Sequence, residues 1–321
     1  MNTLYRPLSS VLVAALLVFA PHVHAGIDKA PGAGIHAALL QDDARQFIDA
    51  MIKQAKRRGT DAAISKYALE RLRKDGVSST IARIEYSWAS DGSARRAGKI
   101  VVHSRSGQPI ETVLGSTKSG PSGGQSSSSF AWTDEQMARE ANEAGLYPNV
   151  PGHIRATSYR VPDSVLGATD RAGEATGTAA GDAELKALQT LEAQIKAGTI
   201  PGGGTLGGTV SKDICGSCET NFQRFSDAYG VHGKIYYLVE PRAEEAAALA
   251  AAPEERELIA DSARSNRMLF ARRSAYVRSN MKGNPTEWTL SEEHGWAVPR
   301  DVALLAEAEA GSLTANEGCL P

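Results

Sequence analysis

Cysteine is scarce in this chain. Its 321 residues include only three: Cys215, Cys218 and Cys319. An odd count excludes a fully paired disulfide framework and leaves one thiol free, metal-bound or joined to a partner. Charge excess is also lacking. With 35 basic and 37 acidic residues the formal net charge is −2, so bulk charge points to neither nucleic acid nor a membrane surface. There is no internal repeat. Gly202-Gly203-Gly204 lacks the lysine and the following helix of a phosphate-binding loop and reads as a flexible turn. His103, His153, His232 and His294 have no metal-ligand spacing to one another, although His153 or His232 can still reach a metal centre from a distance.

Only one long apolar run is present, and it lies at the N-terminus. Arg6 precedes the stretch Ser10 to Ala20, and Val23-His24-Ala25 places permissive residues at −3 and −1 of a cleavage site. Residues 1–25 therefore read as a signal peptide cleaved after Ala25, with export to the periplasm or medium and no stable membrane insertion afterwards. An uncleaved anchor is the alternative. His22 and His24 leave with the peptide.

What remains is long enough for roughly two domains, and 42% apolar content can fill a core. Residues 26–34 read as a loose Gly/Pro/Ala lead-in. Ala44, Phe47, Ile48, Met51, Ile52 and Ala55 fall at helical spacing; Gly59 suits a C-terminal cap, Thr60 a new helix start and Gly76 its end. Ala82 to Trp88 alternates apolar with polar, Asp91-Gly92 is a turn signal, and Ile100 to Val102 starts a return strand. These features define an N-terminal α+β domain over 26–115. Ser116 to Ser129 has nothing to bury, which places a Ser/Gly linker over 116–130.

From 131 to 240 the pattern becomes α/β. A short helix covers Glu135 to Ala144, and a short strand lies near Ile154 to Tyr159. Leu185, Leu188, Leu191 and Ile195 line a helix that ends at Gly198. Thr205 to Ser211 is a strand, Cys215 to Tyr229 a helix and Ile235 to Val239 a strand. That alternation favours parallel strands in one mixed sheet flanked by helices. Residues 241–321 read as a helical extension: a long helix over Glu254 to Asn280, a break at Asn284-Pro285 and a last helix over Val302 to Glu309.

The chemistry concentrates in two short motifs. Cys215-Gly216-Ser217-Cys218 opens one helix, 31 residues after Glu184 in Asp182-Ala183-Glu184 at the start of another. A Cys-x-x-Cys pair at a helix start can set two sulfurs on one metal, and the helix N-terminus favours thiolates. Asp182 and Glu184 cannot share a helical face, but from a cap position Asp182 reaches the same point at the helix mouth. Taken singly, Asp182 is an N-cap, Glu184 a first-turn acid, and the cysteines a redox or structural pair.

The arrangement resembles the cytidine-deaminase-like superfamily, whose signature is His-x-Glu followed by Pro-Cys-x-x-Cys. It is most similar to the deaminase-like domains of bacterial secreted toxins, over about residues 181–240, with Phe222, Phe225 and the run from Ile235 to Val239 fitting the layout. The resemblance implies Cys215, Cys218 and Asp182 as zinc ligands and Glu184 as proton shuttle. The implied reaction is hydrolytic deamination of a nucleobase, in a nucleoside or a single-stranded nucleic acid, by a toxin or effector with an immunity protein as partner. Asp182 departs from the usual histidine or cysteine, and Asp213-Ile214 stands where proline is typical. Arg264, Arg267, Arg272 and Arg273, with Arg278, Lys282, Phe270 and Tyr276 nearby, offer a weak nucleic-acid contact. The rival readings are an exported thiol–disulfide or disulfide-bonded protein, which lacks an aromatic residue before Cys215, and a non-catalytic binding module on the same fold.

Overall fold

A computed structural model describes residues 26–61, 63–90, 96–116, 134–157, 161–167 and 181–290. The strands are β1 (Ile27–Pro31), β2 (Ile81–Trp88), β3 (Gly98–Arg105), β4 (His153–Arg155), β5 (Thr205–Val210) and β6 (His232–Tyr237). The helices are α1 (Gly34–Asp61), α2 (Lys66–Ser78), α3 (Ile110–Leu114), α4 (Asp134–Ala144), α5 (Ala183–Lys196), α6 (Gly216–Tyr229), α7 (Glu244–Ala250) and α8 (Arg256–Asn280).

All six strands form one mixed sheet in the order β1-β6-β5-β2-β3-β4. β2 pairs antiparallel with β3 and β5, whereas β5–β6, β1–β6 and β3–β4 are parallel. The expected α/β class and the parallel pair around the Cys-x-x-Cys helix are therefore present. Strand alternation supplies the two layers. Ala82, Ile84 and Tyr86 point to one face, where they pack with Leu185, Leu188 and Leu191 of α5 and Phe222 and Phe225 of α6. Ile81 points to the other, into a core of Phe47, Ile48 and Ile52 of α1, Leu72 of α2 and Tyr276 and Val277 of α8.

Several expectations are corrected by this sheet. The expected boundary at 116–130 does not separate two cores: β2, from the N-terminal side, lies hydrogen-bonded between β3 and β5. The lead-in at 26–34 contains a strand, because β1 is held by backbone pairing that needs no side-chain pattern, and Gly32 N–H donates to Tyr237 C=O at 2.8 Å. Gly59 does not end its helix; α1 continues to Asp61, and Ser65 caps α2 by accepting from Ala68 N–H at 3.1 Å. Gly76 sits inside α2, where a Cβ would meet Val277 at 3.1 Å, so it serves close helix packing. The C-terminal helices are not an appendage: the Tyr276 hydroxyl donates to Asp49 at 2.6 Å, and the Arg273 guanidinium donates to the C=O of Gly76 and Ser79 at 3.0 and 2.8 Å. The readings on residues 1–25, 117–130, Asp91-Gly92, His294, Val302 to Glu309 and Cys319 fall outside the described residues. No described helix is long and apolar enough to cross a membrane.

Candidate metal centre

The N-terminus of α5 and the loop between β5 and α6 meet at one end of the sheet. Asp182 occupies the N-cap position of α5 with φ −68° and ψ 140°, and its C=O accepts from Lys186 N–H at 3.1 Å. Its side chain makes no capping hydrogen bond. The carboxylate turns instead toward α6, where the thiols of Cys215 and Cys218 donate to Asp182 Oδ2 at 3.6 and 3.5 Å. An aspartate that forgoes the usual cap is held by something else, here two sulfurs from another helix.

Cys215 is the N-cap of α6, its sulfur accepting from the Cys218 N–H at 3.4 Å. The two sulfurs lie 3.2 Å apart and are unbonded. One helical turn places position i+3 beside the cap, which explains the spacing. Cys215 is exposed and Cys218 buried at 2%. Glu184, in the first turn of α5 two residues after Asp182, is 4% exposed.

The protonation pattern is asymmetric. Burial pushes the Glu184 carboxyl up to about 8, with the Asp182 and Cys215 charges adding to the effect. Burial also raises Asp182. Hydrogen bonding from the Cys218 thiol and N–H brings Cys215 down to about 7, against burial. Cys218 is pushed up by its hydrogen bond with Cys215, by burial and by the acids beside it. The pair thus holds its first thiolate at the exposed cysteine.

Among the described residues, Asp182, Cys215 and Cys218 are the group of three ligand types whose donor atoms lie within 4.8 Å of one another. Two sulfurs and one carboxylate oxygen, with the exposed cysteine on the solvent side, match a three-ligand metal site with a further position open. The donor set therefore fits a metal ion that accepts thiolate and carboxylate ligands.

His153 and His232, which the sequence left free to reach the centre from a distance, have other partners. His153 bonds His103 at 2.8 Å on the other face of the sheet, and His232 bonds the Thr205 hydroxyl at 3.1 Å. The arginine run is also divided. Arg273 is a correction: at 3% exposure it is consumed in capping α2 carbonyls and cannot meet a nucleic acid. Arg272 reaches Gln41, Arg267 pairs with Glu244 at 2.7 Å and Arg264 with Asp261 at 3.0 Å. Phe270 is exposed and Tyr276 buried. A helix of 3.6 residues per turn scatters such a run around its circumference.

One supporting residue escaped the sequence reading. Asn221, one turn after Cys218 and fully buried, accepts from Gly167 N–H and donates to Gly167 C=O, both at 2.9 Å. It ties the segment 161–167 to the helix that carries the thiols. A polar residue beside Phe222 and Phe225 on the buried face was the available signal. No family model matches the chain, and comparison with curated proteins and with solved structures finds no match.

Proposed function

We propose that this chain is a zinc-dependent hydrolytic deaminase of a nucleobase, with Asp182, Cys215 and Cys218 holding the metal and Glu184 moving protons. The observation that carries the reading is the Asp182 carboxylate, turned off its own helix onto both thiols and flanked by a buried acid. Zinc bound by these residues would act as a Lewis acid and lower the pKa of a water. The rest belongs to the chain. Glu184, whose buried carboxyl the charge of a bound cation would ionise, takes a proton from the water as oxygen adds to the ring carbon. It passes that proton to the ring nitrogen, then carries a second, taken from the hydroxyl now on the ring carbon, to the exocyclic amine as the C–N bond breaks. Water is consumed and ammonia released. In the same proposal the substrate is a nucleoside or a single-stranded nucleic acid, and the chain acts after export as a toxin or effector.

The second reading, a thiol–disulfide exchange module, is favoured by one observation: sulfurs 3.2 Å apart with the exposed cysteine brought down to about 7. Metal content and ammonia release distinguish the two. The deaminase reading expects about one zinc per chain at this centre, lost in Cys215→Ser. It also expects ammonia release from a cytosine- or adenine-containing substrate that Glu184→Gln abolishes with zinc retained. A metal-free chain whose Cys215 and Cys218 join on mild oxidation, with no ammonia from any base, overturns it.

A further inference from the structure

The opposite face of the sheet carries a second constellation of metal-ligating groups, remote from the thiols in the fold. Asp43 of α1 is 2% exposed and His103 of β3 is 5% exposed. The Asp43 Oδ1 atom lies 2.7 Å from His103 Nδ1. The other ring nitrogen of His103, Nε2, lies 2.8 Å from Nδ1 of His153. The two imidazoles stack with centroids 5.0 Å apart and planes 19° from parallel. His153 is exposed, on an edge strand of three residues.

Burying a carboxylate and an imidazole is costly unless they satisfy each other. The Asp43 carboxylate oxygen 2.7 Å from Nδ1 orients the His103 ring, so that Nε2 is the nitrogen directed at the second imidazole. That is the outer-shell device by which proteins orient histidine toward a metal and strengthen it as a ligand. Here Nε2 faces a second imidazole at the protein surface.

We propose that His103 and His153 form a cation site for zinc or a similar imidazole-binding divalent metal, with Asp43 orienting His103 and water completing the coordination. Two imidazole nitrogens on one tetrahedral zinc stand about 3.3 Å apart. The observed 2.8 Å separation opens to that value by a shift of about half an ångström, within reach of a side chain on a short exposed edge strand. The register supports the shift. Val101 pairs with His153, and His103 with Arg155, so the two histidines are diagonal neighbours on one face of adjacent strands. Glu85 flanks them from β2 but is engaged by Arg83 and Lys99 at 3.2 and 3.3 Å. A bound cation clips β4 to β3, which three residues of backbone pairing hold only weakly.

The test is zinc uptake by the untagged full chain carrying Cys215→Ser and Cys218→Ser, which removes the thiol centre. The expected result is about one zinc bound at micromolar concentration, weakened at least about tenfold by adding His153→Ala and about tenfold by adding Asp43→Asn. His153 is exposed, so its variant keeps the fold, verified by circular dichroism. The proposal is overturned if the double variant takes up no zinc, or if His153→Ala leaves the uptake unchanged. In the wild-type chain the two sites separate cleanly. Zinc lost only with His153→Ala removes the deaminase reading and leaves this one standing; zinc lost only with Cys215→Ser does the reverse.

Discussion

The Asp182 carboxylate oxygen lies 3.5 Å from the Cys218 sulfur, thirty-six positions along the chain, although Asp182 sits where a helix cap belongs. Two roles were available to this aspartate, and they predict different costs. As a cap, its loss removes about 1 kcal/mol of stability and leaves metal affinity alone. As a ligand, its loss leaves stability nearly unchanged and weakens zinc binding by an order of magnitude or more. Asp182→Ala, followed by denaturant unfolding of the metal-free chain and by zinc titration, is expected to show the second pattern. A stability loss with unchanged zinc affinity returns Asp182 to a cap.

Glu184 makes the metal-free protein sensitive to pH. Its folded-state value of about 8 lies above the ordinary 4.5, so the folded chain retains a proton that the unfolded chain releases. The associated stability is complete below about pH 4.5 and is lost as pH rises toward 8. The slope approaches 1.4 kcal/mol per pH unit inside that window. Unfolding free energies measured from pH 5 to 6, below the range where Cys215 titrates, are expected to decline more steeply in the wild type than in Glu184→Gln. Equal slopes mean Glu184 is not held protonated.

Cys215 and Cys218 differ in reactivity because one is exposed and brought down to about 7 while the other is buried and pushed up. Iodoacetamide at pH 7, with the modified residue located by mass spectrometry, is expected to label Cys215 about tenfold faster or more. Prior zinc loading is expected to suppress that labelling. Equal rates at the two cysteines contradict the asymmetry.

Arg273 is a structural residue, not a docking one. Its buried guanidinium satisfies the carbonyls of Gly76 and Ser79 at the end of α2. Arg273→Ala leaves those acceptors unpaired and is expected to cost about 2–4 kcal/mol in denaturant unfolding. Arg264→Ala and Arg267→Ala remove exposed ion pairs and are expected to cost under about 1 kcal/mol each. A small effect of Arg273→Ala, with reduced binding to single-stranded nucleic acid, returns the whole arginine run to the surface.

The sequence by itself determined much of the local structure. Apolar spacing set α5, whose Leu185, Leu188 and Leu191 are buried as expected. Alternation set β2, the apolar run Ile100 to Val102 set the return strand β3, and the helix–strand–helix–strand rhythm set the parallel β5–β6 pair. It also brought out Asp182, Glu184, Cys215 and Cys218, because residue type and helix-start position are local properties. The tertiary structure decided the rest. β1 is a strand only because β6 offers it backbone partners, and Ile27–Pro31 carries no periodic signal of its own. The segments on either side of residues 116–130 form one body because β2 pairs with β5 across it, a contact no composition shift can reveal. The partnership of Asp43, His103 and His153, drawn from α1, β3 and β4, exists only once the edge strand is in register. Periodicity and capping act over one or two helical turns, whereas strand order and buried polar pairing join residues a hundred positions apart. Long-range contacts of that kind leave no mark in a single chain read end to end.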